Sequence, residues 1–134
     1  MLFRREMNPF QSLINDCLIG TKHVKSAALL VAKTGDITAV SSKFHIHSKE
    51  VQMLTDAFKH LDATRGQGLC FKERKFRCVR ADRNSIYCKS GGQGLILVKT
   101  ALYVMVATYT ESMYPSVCVE AVEKLAEYLR EKGK

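Results

Sequence analysis

The chain has 134 residues, 46% of them apolar and 25% charged, with a net charge of +8; this balance fits one globular domain and excludes a disordered chain. Its longest apolar runs, residues 27–32 and 101–107, are far too short to span a bilayer. The opening MLFRREMNPF has no apolar stretch of the kind a signal peptide needs, so a cytoplasmic protein is expected.

Residues 1–7 read as a flexible basic tail and 8–134 as a single domain. A helix is predicted from Asn8, a good N-cap, with Pro9 in the first turn and Gln11 completing a capping-box pattern. Phe10, Leu13, Ile14, Cys17 and Leu18 follow at helical spacing, and Gly20 ends the helix. Residues 26–33 and 37–41 read as two strands joined by a turn. A second helix is predicted over 48–61, with Val51, Leu54, Phe58 and Leu61 as its apolar stripe. Residues 67–109 read as an antiparallel meander with segments 68–73, 75–81, 85–89, 94–100 and 102–109. In the second of these, Lys75 and Arg77 alternate with Phe76 and Cys78, which directs the cations to solvent and the other two to the core. A last helix is predicted from Pro115 to the end, with Cys118, Val122, Leu125 and Leu129 on one face. The order implies an α+β domain in which both terminal helices need a sheet face to cover.

The charge is unevenly placed. Residues 67–110 hold eight basic and two acidic residues, whereas the last 24 hold four basic and five acidic. Such a concentration suggests an anionic partner.

No catalytic motif is present, so an enzyme is not expected, and no cofactor is implied. The glycines of 66–68 and 91–94 precede strands and read as turns, not as a phosphate cradle. His45 and His47 lack a third ligand, so they read as surface histidines and no metal site is expected. The five cysteines form no CxxC pair and read as reduced, structural thiols. Cys78 and Cys88 have basic neighbours of the kind that lowers a thiol pKa, but no His or acid beside them to make a nucleophile. Phe71 and Phe76 read as core, which argues against a nucleic-acid surface, where exposed aromatics interleave with cations.

Several segments together resemble the profilin family: Gly94-Leu-Ile-Leu-Val-Lys-Thr100, residues 102–109, Tyr114-Pro-Ser-Val-Cys118 and Val122-Glu-Lys-Leu-Ala-Glu-Tyr-Leu129, with Cys78-Val-Arg-Ala-Asp82 and Ala27-Ala-Leu29 extending the match. The resemblance implies a central antiparallel sheet, with the N- and C-terminal helices packed on one face and a shorter helix on the other. It also implies three partners: monomeric actin, proline-rich ligands and phosphoinositides. The proline-ligand positions fall near Phe10, Leu13 and Thr38, with Tyr128 as a further aromatic. Because the chain has no Trp, proline-rich ligands are not expected to bind. The actin-facing positions are Lys75 and Arg80, together with Val119 and Glu120, where vertebrate members carry an Asn-Lys pair; actin binding is expected to be weakened. The lipid-binding positions are Lys72, Arg74, Lys75, Arg77, Arg80, Arg83 and Lys89. The expected protein is therefore cytoskeleton-associated, binds anionic phospholipid and sits peripherally at membranes. The alternative is a conventional actin-monomer-binding profilin.

Overall fold

The computed structural model describes residues 8–134; the expected basic tail lies outside the described residues. Helix α1 (Pro9–Cys17) opens on Asn8, whose Oδ1 accepts the Gln11 backbone N–H at 2.8 Å. Only half of the expected capping box forms. The Gln11 side chain turns away and makes two bonds to Val40, donating to its carbonyl at 2.8 Å and accepting its N–H at 3.2 Å. It thereby stands in for a neighbouring strand at a sheet edge that would otherwise be unpaired. After α1 the chain makes one 3-10 turn, Ile19–Thr21, before the sheet begins.

Strands β1 (Ser26–Val31) and β2 (Ile37–Val40) form the first hairpin. The predicted helix over 48–61 is two helices, α2 (Ser48–Asp56) and α3 (Leu61–Gln67). The chain turns at residues 57–60, which sinks Ala57 and Phe58 into the core. The carbonyl of Ala57, left open where α2 ends, accepts the Thr64 hydroxyl at 3.0 Å. Gly66 thus lies inside α3 and not in a turn. Gly68 caps that helix with φ 70° and ψ −161°. A second capping box, absent from the sequence reading, starts α2: the His47 backbone N–H donates to Glu50 at 3.0 Å.

Five strands follow: β3 (Leu69–Phe71), β4 (Arg74–Ala81), β5 (Ser85–Ser90), β6 (Gln93–Lys99) and β7 (Tyr103–Tyr109). The expected first segment, 68–73, stops at Phe71 because Lys72 and Glu73 take positive φ in the β3–β4 turn. Helix α4 (Pro115–Glu131) closes the chain. All seven strands join one antiparallel sheet in the order β2-β1-β7-β6-β5-β4-β3. The N-terminal hairpin therefore docks beside β7.

Both sides of the sheet centre are covered, so β6 and β7 carry unbroken apolar runs. From β6, Leu95 and Leu97 pack with Leu54, Phe58, Phe71 and Phe76 on the α2 side. Ile96 and Val98 pack with Ile14, Leu18, Val122 and Leu129 on the other side, under α1 and α4. The two terminal helices thus share one face, and two short helices, not one, lie on the other.

Candidate functional site

Helix α4 lies over β6 and β7 and reaches β5 at Ser85 and Tyr87, leaving β4 and the Lys89 end of β5 exposed on its side of the sheet. The pleat decides which cations stand on this open flank. In β4, Phe76 is buried toward α2, so Lys75 and Arg77 point to the α4 side. Lys89 is the register partner of Arg77 and stands beside it on the same side. Past Cys78 the register shifts, with Val79 as the extra residue, before Arg80 pairs with Tyr87. Without that bulge the alternation would turn Arg80 to the α2 side; with it, Arg80 joins the α4 side. Val79 is left 53% exposed beside these cations.

The seven cations predicted as one face are therefore divided. Lys75, Arg77, Arg80 and Lys89 share the α4-side flank. Arg74 is on the other side with Phe76, where its guanidinium donates to Ser90 Oγ at 3.2 Å. Lys72 sits in the β3–β4 turn, paired with Glu50 at 3.1 Å and donating to the His45 carbonyl. Arg83 lies in the β4–β5 turn. The period-two pleat is the reason: Arg74 and Lys75 are adjacent in sequence and so face oppositely.

The flank ends in an ordered cluster. Asp82 accepts the Asn84 and Ser85 backbone N–H groups at 2.9 and 2.8 Å, and Arg80 donates to its other oxygen at 2.9 Å. The Asn84 N–H, then Arg80 and the Ser85 N–H, hold the Asp82 carboxyl below its ordinary value against the opposing effect of burial. Arg80 also lies 5.4 Å from the Tyr87 ring centroid. On α4, Glu123 accepts the Ser85 hydroxyl at 2.8 Å and the Tyr87 hydroxyl, tying the helix to β5. Burial, and then the Glu123 carboxylate, push the Tyr87 phenol up to about 12. This clamp leaves no sign in the sequence, because Glu123 reads as one of several exposed helical carboxylates.

The depressed Asp82 carboxyl gives a testable pH dependence. A carboxylate whose folded pKa lies below its unfolded value stabilises the fold above the unfolded value, about 3.9, and loses that contribution as pH falls toward the folded one. Asp82→Asn keeps an acceptor for the two N–H groups but removes the titration. Thermal unfolding followed from pH 6 down to pH 2 is expected to show a shallower acid slope for Asp82→Asn than for the parent chain. Equal slopes would show that the charge contributes nothing.

The actin-facing positions separate as well. Val119 packs on the α1–α4 side core. Glu120 lines a groove between α1 and α4 together with Leu13, Cys17, Ala121, Leu125 and Tyr128, and lies 4.0 Å from Lys124. Of the proline-ligand positions, Leu13 and Tyr128 meet in that groove. Phe10 instead packs against Tyr103, a ring missed in the sequence, with centroids 5.2 Å apart. The Thr38 carbonyl accepts from Asn8 at 3.2 Å. Lys132 covers the Tyr128 ring at 5.5 Å from its centroid.

The pleat also separates two thiols from their basic sequence neighbours. Arg77 and Lys89 flank Cys78 and Cys88 in sequence but point to the opposite side of the sheet. Burial dominates, and with Cys78 facing it the Cys88 thiol is pushed up to about 12, not down. Among the described residues, no group of three His, Cys, Asp or Glu side chains is placed to hold a metal.

The described residues thus form an antiparallel sheet with both terminal helices on one face and a cationic flank beside α4. The profilin family model matches residues 8–134. Profilin-4 of Bos taurus is 50% identical over 128 residues, spanning 95% of this chain and 99% of that protein. The solved structure of Acanthamoeba castellanii profilin IA aligns with a TM-score of 0.86 at 35% identity, over 93% of this chain and 99% of that one. Mouse profilin IIa, solved in complex with a double repeat from the FH1 domain of mDia1, shares the fold with a TM-score of 0.75 at 16% identity, over 95% of this chain and 100% of that one. The chain belongs to the profilin family, whose members are non-enzymatic, actin-binding proteins of the cytoskeleton.

Proposed function

We propose that this chain is an actin-cytoskeleton-associated binding protein that engages anionic phospholipid, with phosphoinositides the ligands in view, through the open α4-side flank of β4 and β5. Its actin and proline-ligand surfaces are weakened. One observation carries the reading: Arg77 stands directly opposite Lys89, with Lys75 two residues along, and no ion pair among the described residues neutralises them. Like charges placed opposite one another cost stability, and an anionic surface would turn that cost into attraction. Each Lys or Arg near such a surface contributes about 1 kcal/mol, so the three unpaired cations and their neighbours give reversible attachment. Val79, exposed among them, adds an apolar tip. No helix of the described residues is long and apolar enough to cross a membrane, which fits peripheral attachment.

The weakened proline-ligand surface is supported by the absence of Trp from the chain and by the packing of Phe10 against Tyr103. The alternative, a conventional actin-monomer-binding profilin, is favoured by Lys75 and Arg80 standing on the same side as α4.

Co-sedimentation with vesicles containing an acidic phosphoinositide, across a salt series and against neutral vesicles, tests the proposal. Binding to the acidic vesicles alone, declining as salt screens the flank, is the expected result. Absence of binding even at low salt, together with a saturable stoichiometric complex with monomeric actin, would overturn it in favour of the alternative.

A further inference from the structure

Cys78 on β4 and Cys88 on β5 are register partners, directly opposite across an antiparallel pair. Residues so placed have Cα atoms about 4.5–5.5 Å apart, inside the range of about 4.4–6.8 Å that a disulfide spans. Both side chains point to the α2 side, where Cys88 is in the core and Cys78 packs against it. No other cysteine competes. Cys118 is buried with Val122 and Leu129 on the far side of the sheet. Cys70, the register partner of Lys75, also points to the far side, and Cys17 belongs to the α1–α4 groove.

We propose that Cys78 and Cys88 are a redox modification site, closing a reversible cross-strand disulfide when the chain meets a hydroperoxide. The two thiols have unequal access, which sets the order of events. Cys78 is half-buried and reachable from solvent, whereas Cys88 is 1% exposed. The Cys78 sulfur attacks one peroxide oxygen, the O–O bond breaks, and the departing oxygen leaves as water (or as an alcohol, from an organic peroxide) with the thiol proton. Cys78 is then a sulfenic acid. The Cys88 sulfur attacks the Cys78 sulfur, and the hydroxyl departs with the Cys88 proton as a second water. Two thiols are oxidised to one disulfide, one hydrogen peroxide is reduced to two waters, and a dithiol reductant reverses the bond. Cys88 is sheltered from bulk peroxide and acts only as the resolving thiol, so Cys78 is trapped before it climbs to irreversible acids. The bond lies one residue from the Arg77–Lys89 pair and at the edge of the Val79 bulge, so it pins the two strands of the cationic flank. Its formation does not depend on lipid binding.

The test treats the full chain with a hydrogen peroxide series, then alkylates it under denaturing conditions for intact-mass analysis and peptide mapping. The alkylatable thiols are expected to fall from all five cysteines to three, with the bond mapped to Cys78–Cys88 and reversed by dithiothreitol. The oxidised chain is expected to melt about 5 °C or more above the reduced one, since the bond restricts the unfolded chain. Cys78→Ser, at a half-buried position, should form no intramolecular bond at the same dose. A Cys17→Ser, Cys70→Ser double variant, which removes both exposed thiols, should form it as the parent does. Sulfinic or sulfonic acid at Cys78 without a disulfide, or bonds mapping to Cys17 or Cys70, would overturn the proposal.

Discussion

Gly68→Ala is expected to cost about 3–5 kcal/mol of folding stability, among the largest effects a single methyl group can have here. Gly68 ends α3 and starts β3 with φ 70° and ψ −161°, a region of backbone space that only glycine enters freely. A Cβ built there would lie 2.1 Å from the Phe76 carbonyl oxygen and 3.2 Å from its carbon. Those are backbone atoms of β4, paired to β3 in register, so they cannot swing aside. Relief requires either α3 to give up its Gly68 N–H bond to Thr64, 2.9 Å long, or β3 to lift away from β4. Either movement disturbs Phe71 and Phe76, both in the core. A domain of this size is stable by about 5–15 kcal/mol in total, so the variant should show a large drop in urea midpoint. Gly66→Ala is the internal control. It lies two residues earlier, inside α3, and a Cβ there meets nothing within 4 Å. It should be neutral or stabilising by up to about 1 kcal/mol. Similar midpoints for the two variants would show that the clash at Gly68 is relieved at little cost.

The second large effect separates binding from stability. Lys89→Glu puts a carboxylate opposite Arg77 and replaces a repulsive cross-strand pair with an attractive one. The fold should gain about 0.2–1 kcal/mol, while vesicle binding weakens. The double variant Arg77→Glu, Lys89→Glu restores a like-charge pair of the opposite sign. At about 1 kcal/mol per cation removed, and more once the sign is reversed, acidic-vesicle affinity should fall at least about 30-fold. Thermal melts and vesicle co-sedimentation on the same samples check both halves. A double variant that binds acidic vesicles as the parent chain does would remove the flank from the lipid site. Arg74→Glu, on the other side of the sheet, should change binding far less, which distinguishes a placed flank from net charge alone.

The family was legible in the sequence as a resemblance carried by short segments in order, above all Gly94–Thr100, residues 102–109, Tyr114–Cys118 and residues 122–129. Apolar stripes showed that both terminal helices need a sheet face, the resemblance implied that they share one, and the structure puts both there. Where local pattern and tertiary packing competed, packing won. Val51, Leu54, Phe58 and Leu61 repeat at helical spacing, yet the chain turns at residues 57–60, because Thr64 can satisfy the Ala57 carbonyl and Phe58 can enter the core. Gln11 leaves its capping box because an open strand edge offers it two bonds.

The candidate site was legible as a composition and not as a surface. Sequence alone determined that the cations cluster between residues 67 and 110 and that Lys75 and Arg77 share a side, since a strand alternates with period two. It did not determine which cations join them. That Lys89 faces Arg77 follows from the β4–β5 register, that Arg80 turns to the same side follows from the bulge at Val79, and that Arg74 and Lys72 are lost to the flank follows from the pleat and from Glu50. The pairing of Cys78 with Cys88 has the same origin. Composition and periodicity are properties of a single segment, but register is a relation between two segments. It is fixed only when the core closes and each strand has one alignment that buries its apolar side.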